Sequence, residues 1–435
     1  MPFCIKPNAL CFPDSEDEVS DSNQLTVILG GGFTGLFTAL YLSQHRYSGR
    51  VLLIDKSERF IFKPLLYEFL NGQMDGNQVW PRYQKLLQGT DVTFLQDTLC
   101  QIDLTQRKVE LVSGLHYTYT HLVLAVGGAV GYFGTPGAAE YALTFCTGED
   151  ALALRQRIVQ CFQRASQTKD PQLRRKLLTI AVIGAGPAGV ELVATLADSL
   201  PVFYTQFGGD PQEIRIVLMN RSADILAGDI NGRLRETART ALQERVIPVE
   251  LLMGATVTML HPGQIEYTHD GQPAVLDAET IVWTAGTAVH PLIKNLPIPE
   301  TDRDRHGRPF VTQTLQLINY PEVFAGGDCV TQHLPQPALA QVAYQQGKAI
   351  AQNLIALSKG EALKDSLVSL RGTLMKLGME EGAAEIFDRY QVKGRPGYLI
   401  RQLAYLEMLP LPSHNLKVTA EWLSDGILHH AKYKL

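Results

Sequence analysis

The sequence predicts an α/β fold with two parallel β-sheet domains. From Leu25 onward, short apolar runs alternate with helix-length amphipathic stretches, a pattern that builds parallel sheets through right-handed βαβ connections. A glycine-rich segment also lies between a strand and a helix at two places in the chain, which is typical of Rossmann-like domains. The clearest predicted strands are Leu25–Leu29, Arg50–Ile54, His121–Val126, Leu178–Ile183, Ile214–Met219, Thr280–Trp283 and Val323–Ala325.

Composition narrows the class of protein. The chain of 435 residues is 45% hydrophobic and 19% charged, as expected for a globular protein of two or three domains. A formal net charge of -5 gives no reason to expect a nucleic-acid partner. The six cysteines include no C-x-x-C pair and no cluster with zinc spacing, so we expect neither a dithiol centre nor a metal site. Because we find no secretory signal and no uninterrupted membrane span, we expect an intracellular protein.

The first glycine-rich segment covers residues 30–35 (GGGFTG) and follows the first predicted strand. This G-x-G-x-x-G pattern between a strand and a helix is the dinucleotide-binding motif in the context that it requires. Gly30 allows the tight turn, Gly32 lets the backbone approach a pyrophosphate, and Gly35 lets helix and strand pack closely. Asp55, at the end of the next predicted strand, is placed to accept a ribose hydroxyl proton. The alternative is a structural glycine turn.

The second glycine-rich segment covers residues 184–189 (GAGPAG), again between a strand and a helix. Two dinucleotide sites are therefore predicted. We expect one to hold a flavin and the other a nicotinamide, because a two-electron carrier needs a partner that delivers hydride. Asn220 and Arg221 stand where an NAD site usually has an acid. Since Asn220 does not repel a 2′-phosphate and Arg221 can pair with one, we predict NADPH in preference to NADH. The alternative is a solvated Arg221 and no preference.

Three further segments resemble the flavoproteins with two dinucleotide-binding domains, in which the nicotinamide domain is inserted into the flavin domain. Residues 121–128 (HLVLAVGG) and 280–286 (TIVWTAG) resemble the passages into and out of the insert. Residues 322–328 (EVFAGGD) resemble the second flavin motif, which implies that Asp328 contacts the ribityl or pyrophosphate part of FAD. For Asp328 the alternative is a helix N-cap.

The acidic, polar composition of the first residues predicts a disordered tail, and the motifs together with the resemblance imply a division of the remaining chain and a set of cofactor contacts. The ranges are 1–24 for a disordered acidic tail, 25–148 and 285–360 for the FAD domain, 149–284 for the NAD(P)H domain, and 361–435 for a C-terminal region. The residues expected at FAD are Gly30, Gly32, Phe33, Thr34, Gly35, Asp55, Lys56, Lys63, Pro64, Leu65, Ala125, Gly127, Gly327 and Asp328. Those expected at the nicotinamide dinucleotide are Gly184, Gly186, Pro187, Ala188, Gly189, Asn220, Arg221, Ala285 and Gly286.

Within this superfamily the chain resembles the type II NAD(P)H:quinone oxidoreductases, single-subunit enzymes that do not pump protons. Residues 62–68 (FKPLLYE) resemble the family segment that passes close to the isoalloxazine. Residues 340–347 (AQVAYQQG) match the family's A-Q-x-x-x-Q quinone-site motif, which implies that Gln341, Gln345 and Tyr344 line a quinone pocket. The two glutamines are four positions apart and share one helix face. Their alternative role is to bond neighbouring backbone.

Glu191 matches the family's acid after the second glycine motif, a position implicated near the flavin and in proton delivery to quinone. Its alternative role is stabilisation of a helix N-terminus. Residues 371–378 (RGTLMKLG) and 401–410 (RQLAYLEMLP) resemble most closely the cyanobacterial and plastid subgroup that includes demethylphylloquinone reductase. The implied reaction passes hydride from NADPH to FAD and then reduces a membrane quinone. The quinone is demethylphylloquinone, a precursor in phylloquinone biosynthesis, or a related naphthoquinone or plastoquinone.

Two other functions stay open at this point. Sulfide:quinone reductases share the layout but need reactive cysteines beside the flavin, and neither Cys146 nor Cys329 convincingly supplies them. A flavin-binding redox sensor with slow turnover is the second alternative, because fold alone does not fix function.

The C-terminal region is predicted to dock on a membrane. Residues 398–409 are strongly apolar, and Leu416, Ala420, Leu423 and Ile427 form a second apolar stripe. From Lys393 onward the basic residues, Arg401 among them, outnumber the acidic ones, which suits an in-plane anchor. We expect a peripheral protein on the cytoplasmic or stromal-type face of a thylakoid or plasma membrane. The alternatives are a subdomain packed on the flavin domain and a dimer interface, and a homodimer stays open.

Overall fold

The computed structural model of the chain describes residues 24–228, 232–370, 372–386 and 390–410. The strands are β1 (Leu25–Leu29), β2 (Arg50–Asp55), β3 (Val92–Gln96), β4 (Leu99–Asp103), β5 (Lys108–Leu111), β6 (His116–Thr118), β7 (His121–Leu124), β8 (Gly128–Val130), β9 (Leu143–Thr144), β10 (Thr179–Ile183), β11 (Arg215–Asn220), β12 (Glu250–Met253), β13 (Thr256–His261), β14 (Gln264–His269), β15 (Gln272–Asp277), β16 (Thr280–Trp283), β17 (Thr287–Val289), β18 (Gln316–Leu317), β19 (Tyr320–Ala325), β20 (Thr373–Lys376), β21 (Gly382–Ile386) and β22 (Tyr390–Lys393). The helices are α1 (Phe33–Gln44), α2 (Leu66–Leu70), α3 (Gly76–Val79), α4 (Tyr83–Leu86), α5 (Ala138–Tyr141), α6 (Gly148–Gln167), α7 (Pro171–Leu178), α8 (Pro187–Thr205), α9 (Gly232–Gln243), α10 (Pro291–Lys294), α11 (Ala340–Ser358) and α12 (Gly394–Leu406).

Every strand predicted from the sequence is present, with ends that differ by up to three residues. The largest difference is in β19, where the strand begins at Tyr320 and not at Val323. Most of the predicted acidic tail and the stripe from Leu416 to Ile427 lie outside the described residues.

The first sheet has the order β18-β19-β7-β1-β2-β3. Its central strands are parallel, and β18 joins β19 in antiparallel orientation. Val27, Ile28 and Leu29 of β1 are completely buried, because a parallel sheet covered on both faces has no solvent side. Helices α1 and α11 pack closely, and the Thr38 hydroxyl donates to the Gly347 carbonyl oxygen at 3.0 Å.

The second sheet is parallel throughout and has the order β12-β11-β10-β16-β9. The chain enters it after β7 through β8 and returns to the first sheet through β17, and these two linking strands pair antiparallel. The two parallel-sheet domains, with the second inserted into the first, are therefore confirmed. Each domain also contains a separate three-stranded antiparallel sheet, β4–β6 in the first and β13–β15 in the second.

The predicted C-terminal region contains an antiparallel sheet, β20–β22, with α12 packed against it. Met375, Leu377 and Ala383 join the hydrophobic core of the second domain, so this sheet is an integral part of the protein. The interpretation of Arg401 as part of a basic membrane-facing flank is wrong, because its side chain is completely buried. None of the helices in the described ranges combines the length and apolar character needed to cross a bilayer.

Gly397 lets α12 lie directly on the C-terminal sheet. A Cβ at this position would lie 2.5 Å from the Gly382 carbonyl oxygen and 2.6 Å from that of Val392. We expect Gly397→Ala to lower the free energy of unfolding by about 1–3 kcal/mol through overpacking, as measured by urea unfolding. Leu403→Ala, at an exposed position of the same helix, should cost less than about 0.5 kcal/mol. If the two variants were equally stable, the close packing of α12 on the sheet at Gly397 would be contradicted.

Candidate active site

The first glycine turn is closed on its protein side and open on the other. A Cβ at Gly30 would lie 2.5 Å from the Ala125 carbonyl oxygen, and one at Gly35 would overlap the carbonyl oxygen of Gly30. A Cβ at Gly32 would have no protein atom within 4 Å. The turn leads directly into α1, whose first N–H groups have no partner within the helix. The open face beside a helix N-terminus therefore fits the pyrophosphate of a dinucleotide.

Asp55 closes one end of this turn. One carboxylate oxygen accepts from the Gly31 N–H at 2.6 Å and the other from the Ser57 N–H at 2.8 Å. Burial raises the pKa of Asp55, while the N–H of Gly31, that of Ser57 and the charge of Lys56 oppose the shift. The Asp55 carboxylate therefore lies beside the glycine turn. Its contact with a ribose hydroxyl stays a prediction.

Tyr83 is a site residue that the sequence analysis missed. Its hydroxyl donates to the Gly31 carbonyl oxygen at 2.8 Å, and a Cβ at Gly31 would overlap the tyrosine ring. The available signal was the run of three consecutive glycines, since the dinucleotide pattern leaves its second position free.

The second glycine turn repeats the geometry of the first. A Cβ at Gly184 would lie 2.6 Å from the Ala285 backbone nitrogen, and a Cβ at Gly186 would again have no protein atom within 4 Å. Pro187 opens α8, where its missing N–H leaves no bond unmade. Ala188 and Gly189 complete the first turn of α8, and Gly286 adjoins Ala285.

Asn220 occupies in the second domain the position that Asp55 occupies in the first. Its side-chain oxygen accepts from the Ala185 N–H at 3.4 Å, and its amide nitrogen donates to the Asp224 carbonyl oxygen at 2.9 Å. Arg221 beside it is exposed. This crevice therefore has a neutral amide and a solvent-accessible cation where the first crevice has a partly buried carboxylate.

The second flavin motif lies beside the first glycine turn, at the carboxyl ends of β19 and β1 in the first sheet. A Cβ at Gly327 would lie 2.9 Å from the Thr34 hydroxyl, and the Gly327 N–H donates to the Gln346 side-chain oxygen at 2.7 Å. Burial raises the pKa of Asp328, and the nearby charges of Lys63 and Arg308 oppose the shift. Three separate segments assigned to FAD therefore lie close together, at Thr34, Lys63 and residues 327–328. Their individual contacts with FAD stay predictions.

The four cysteines in the part of the chain that the structure describes, Cys100, Cys146, Cys161 and Cys329, are all free thiols. Cys329 is completely buried, and burial raises the pKa of its thiol to about 12, so this thiol stays protonated near neutral pH. Its sulfur bonds the Gly326 carbonyl oxygen at 3.3 Å. This environment does not favour the sulfide:quinone alternative.

The two glutamines of the quinone-site motif are bonded to backbone in this structure. The Gln341 amide donates to the Gly372 carbonyl oxygen at 3.2 Å, and the Gln345 side chain bonds both the N–H and the carbonyl of Ser369, at 3.0 and 3.1 Å. The Tyr344 ring meets the Phe37 ring edge-on at 4.6 Å. The motif thus anchors the segment before β20, and its contact with quinone stays a prediction.

A buried cluster of four charged groups lies where α2, α8, β20 and α12 meet. One oxygen of Glu68 accepts from both Arg401, at 2.7 Å, and the Lys376 ammonium group, at 3.0 Å. The Glu191 carboxylate accepts from the backbone N–H of Lys376 at 2.8 Å and lies 3.9 Å from the Arg401 guanidinium. Arg401 also donates to the carbonyl oxygen of Pro64, at 2.5 Å.

The balance between burial and neighbouring cations differs for the two acids of this cluster. Burial raises the pKa of Glu68, but Arg401 and Lys376 outweigh this effect and bring the value down to about 2. For Glu191, burial prevails over Arg401 and the pKa is raised. Glu191 is therefore the acid of the pair that more readily takes a proton. Glu68, Lys376 and Arg401 were not assigned to the site from the sequence, because their pairing joins segments hundreds of residues apart.

The chain belongs to the pyridine nucleotide-disulphide oxidoreductase family, whose model matches residues 25–347, and within it to the type II NADH:quinone oxidoreductases. It is 31% identical to demethylphylloquinone reductase NdbB of Synechocystis sp., over 93% of this chain and 97% of the relative. It is 32% identical to alternative NAD(P)H-ubiquinone oxidoreductase C1 of Arabidopsis thaliana, over 92% and 80%. It also shares 32% identity with the type II NADH:quinone oxidoreductase Ndh of Mycobacterium tuberculosis, over 76% and 72%.

Solved structures support the same fold. NDH2 of Plasmodium falciparum in complex with NADH superposes with a TM-score of 0.82 at 17% identity, covering 93% of this chain and 98% of that one. A sulfide:quinone oxidoreductase of Aquifex aeolicus gives 0.71 at 16% identity, covering 94% and 96%. Flavoproteins of this family use FAD, and the open first crevice fits its pyrophosphate.

Substitutions at the adjacent glycines Gly31 and Gly32 distinguish an effect on folding from an effect on FAD binding. Because the Gly32 position faces open space, Gly32→Ala should leave unfolding of the FAD-free protein unchanged while weakening FAD binding by about tenfold or more. Gly31→Ala should lower both the stability of the FAD-free protein and its affinity for FAD, because the added methyl group displaces Tyr83. Thermal unfolding and flavin fluorescence titration measure the two effects. Wild-type FAD affinity in Gly32→Ala would contradict the assignment of the crevice.

Proposed function

We propose that the protein is an FAD-dependent NAD(P)H:quinone oxidoreductase that uses NADPH in preference to NADH and reduces a membrane quinone. The observation that carries the proposal is the pair of matching glycine crevices, each open where a dinucleotide pyrophosphate would bind. FAD, when bound, supplies two-electron chemistry between a hydride donor and a quinone. The balanced overall reaction converts NADPH, one proton and the quinone into NADP⁺ and the quinol.

The difference between the crevices supports the preference for NADPH. A carboxylate at the end of β11 would repel a 2′-phosphate, and the chain has the neutral Asn220 there. The exposed guanidinium of Arg221 is free to pair with that phosphate through charge-assisted hydrogen bonds.

The buried cluster supports proton handling at the quinone end of the reaction. Quinone reduction needs protons where solvent is excluded, and Glu191 is a buried acid whose pKa is raised. Gln341, Gln345 and Tyr344 are proposed to line the quinone pocket. For the glutamines this requires the bonds to Ser369 and Gly372 to open when quinone binds, so that an amide can donate to a quinone carbonyl.

The outer face of α12 supports docking on a lipid surface. Leu399 and Leu403, one helical turn apart, are 55% and 66% exposed, while Arg401 and Gln402 face inward. Leu367 and Leu370, in the segment anchored by the quinone-site glutamines, are exposed as well. Apolar side chains beside a proposed quinone pocket suit a substrate that resides in a bilayer.

The likeness to NdbB over nearly the whole of both chains supports a demethylphylloquinone-type naphthoquinone as the substrate, with plastoquinone as the other candidate. A thylakoid or plasma membrane is the corresponding proposed location. A homodimer stays a prediction.

Steady-state oxidation of NADPH and NADH, with and without a soluble naphthoquinone, tests the proposed function. We expect rapid quinone-dependent oxidation with the higher kcat/KM for NADPH. A slow rate that is independent of quinone would favour the redox sensor, and a tenfold preference for NADH would refute the coenzyme assignment.

Arg221 provides a direct test of coenzyme choice. Arg221→Ala should lower kcat/KM for NADPH by about tenfold, because the guanidinium pairs with the 2′-phosphate, and should leave the value for NADH nearly unchanged. Asn220→Asp, which places a carboxylate beside the ribose, should reverse the preference toward NADH. If both coenzymes are affected equally in both variants, this crevice does not select between them.

The apolar face of α12 can be tested with vesicles. The double variant Leu399→Ser and Leu403→Ser should lose most of its cosedimentation with vesicles that contain anionic lipid, because its apolar contact is removed. The matched control, Val112→Ser and Val246→Ser, changes two equally exposed apolar residues elsewhere and should cosediment like the wild type. Equal binding by both double variants would refute the assignment.

A further inference from the structure

Lys376 has contacts that the proposed reaction does not account for. Its side chain is completely buried, and its ammonium group bonds to Glu68 at 3.0 Å and to the Gln73 side-chain oxygen at 3.1 Å. It also lies 5.7 Å from the centre of the Tyr398 ring. A buried lysine is costly unless it is paired, so these contacts define a built site for a cation.

The same residue contacts both acids of the cluster. Its side chain binds the Glu68 carboxylate, and its backbone N–H binds that of Glu191 at 2.8 Å. Arg401 contacts the same two carboxylates, so Lys376 and Arg401 share Glu68 between them. With all four groups ionised, two positive and two negative charges balance within this buried cluster.

We propose that Lys376 is a positioning residue for quinone reduction: it shares Glu68 with Arg401, keeps the guanidinium within reach of Glu191, and balances the charge of the site. This inference rests on the proposed function, because it assigns Glu191 as the group whose proton is used. Lys376 itself contacts neither substrate nor cofactor in this account.

The loss of the Lys376 charge has a defined consequence. Glu68 would then be neutralised by Arg401 alone, and the site would carry one uncompensated negative charge. The ionised form of Glu191 would become less favourable, so its pKa would rise. The charged or titratable groups that face Glu191 are Tyr67 and Glu68 from α2, Lys376 from β20, and Arg401 and Tyr405 from α12. Of the two cations, Lys376 is the one whose charge can be removed while Arg401 itself is retained.

A set of charge variants tests the proposal in the FAD-loaded protein. Lys376→Met should move the protonation midpoint of Glu191 upward by about one pH unit, and Glu68→Gln should move it downward. The double variant Lys376→Met/Glu68→Gln removes one charge of each sign, so the midpoint should return close to that of the wild type. Lys359→Met, an exposed lysine at the end of α11, serves as the unaffected control.

The readout is an infrared pH titration of the protonated carboxyl band, assigned to Glu191 by its loss in Glu191→Gln. The alkaline limb of quinone-dependent kcat should move with the same sign in each variant. If Lys376 has only a structural role, Lys376→Met and Glu68→Gln should be impaired without opposite shifts of the Glu191 midpoint, and the double variant should not recover. That result would overturn the proposal. Absence of quinone-dependent turnover in the wild type would instead refute the proposed function.

Discussion

The carboxylate of Glu68, shared between Lys376 and Arg401, is the contact on which the arrangement of the active site depends. It joins the segment at the flavin crevice to the C-terminal sheet and to α12, and through Arg401 and the Lys376 backbone it reaches Glu191 in the second domain. Charges so deeply buried are stable only while every partner stays in place. The cluster therefore fixes four distant segments against one another and leaves a proton-accepting acid where the two domains meet.

The two crevices are built alike and differ at one functional position. Both use a glycine turn packed against the neighbouring strand end and open on the ligand side. The turn in the first domain is bonded by a carboxylate, Asp55, and the turn in the second by an amide, Asn220. This difference is the basis of the proposed preference for NADPH, because a site that binds a 2′-phosphate must admit additional negative charge.

Much of this architecture could be read from the sequence because its determinants are local. The strand, glycine turn and helix around Gly30 and Gly184 follow one another directly in the chain, so spacing alone predicts them. The buried cluster could not be predicted in this way. Arg401 lies in an apolar segment with other basic residues, and composition does not reveal which face of a helix points inward. Its partners, at positions 68 and 376, become neighbours only through tertiary packing. The quinone-site glutamines were found by motif, but their bonds to the backbone of Ser369 and Gly372 depend on tertiary packing that no local pattern encodes.

The central claim is that electrons pass from a nicotinamide coenzyme through bound FAD to a quinone. An anaerobic titration of the purified, FAD-loaded protein followed by visible absorbance tests it most directly. We expect NADPH to bleach the flavin band stoichiometrically and a naphthoquinone added without oxygen to restore it. The claim would be contradicted if quinone did not reoxidise the flavin that NADPH had bleached, or if the protein bound no flavin.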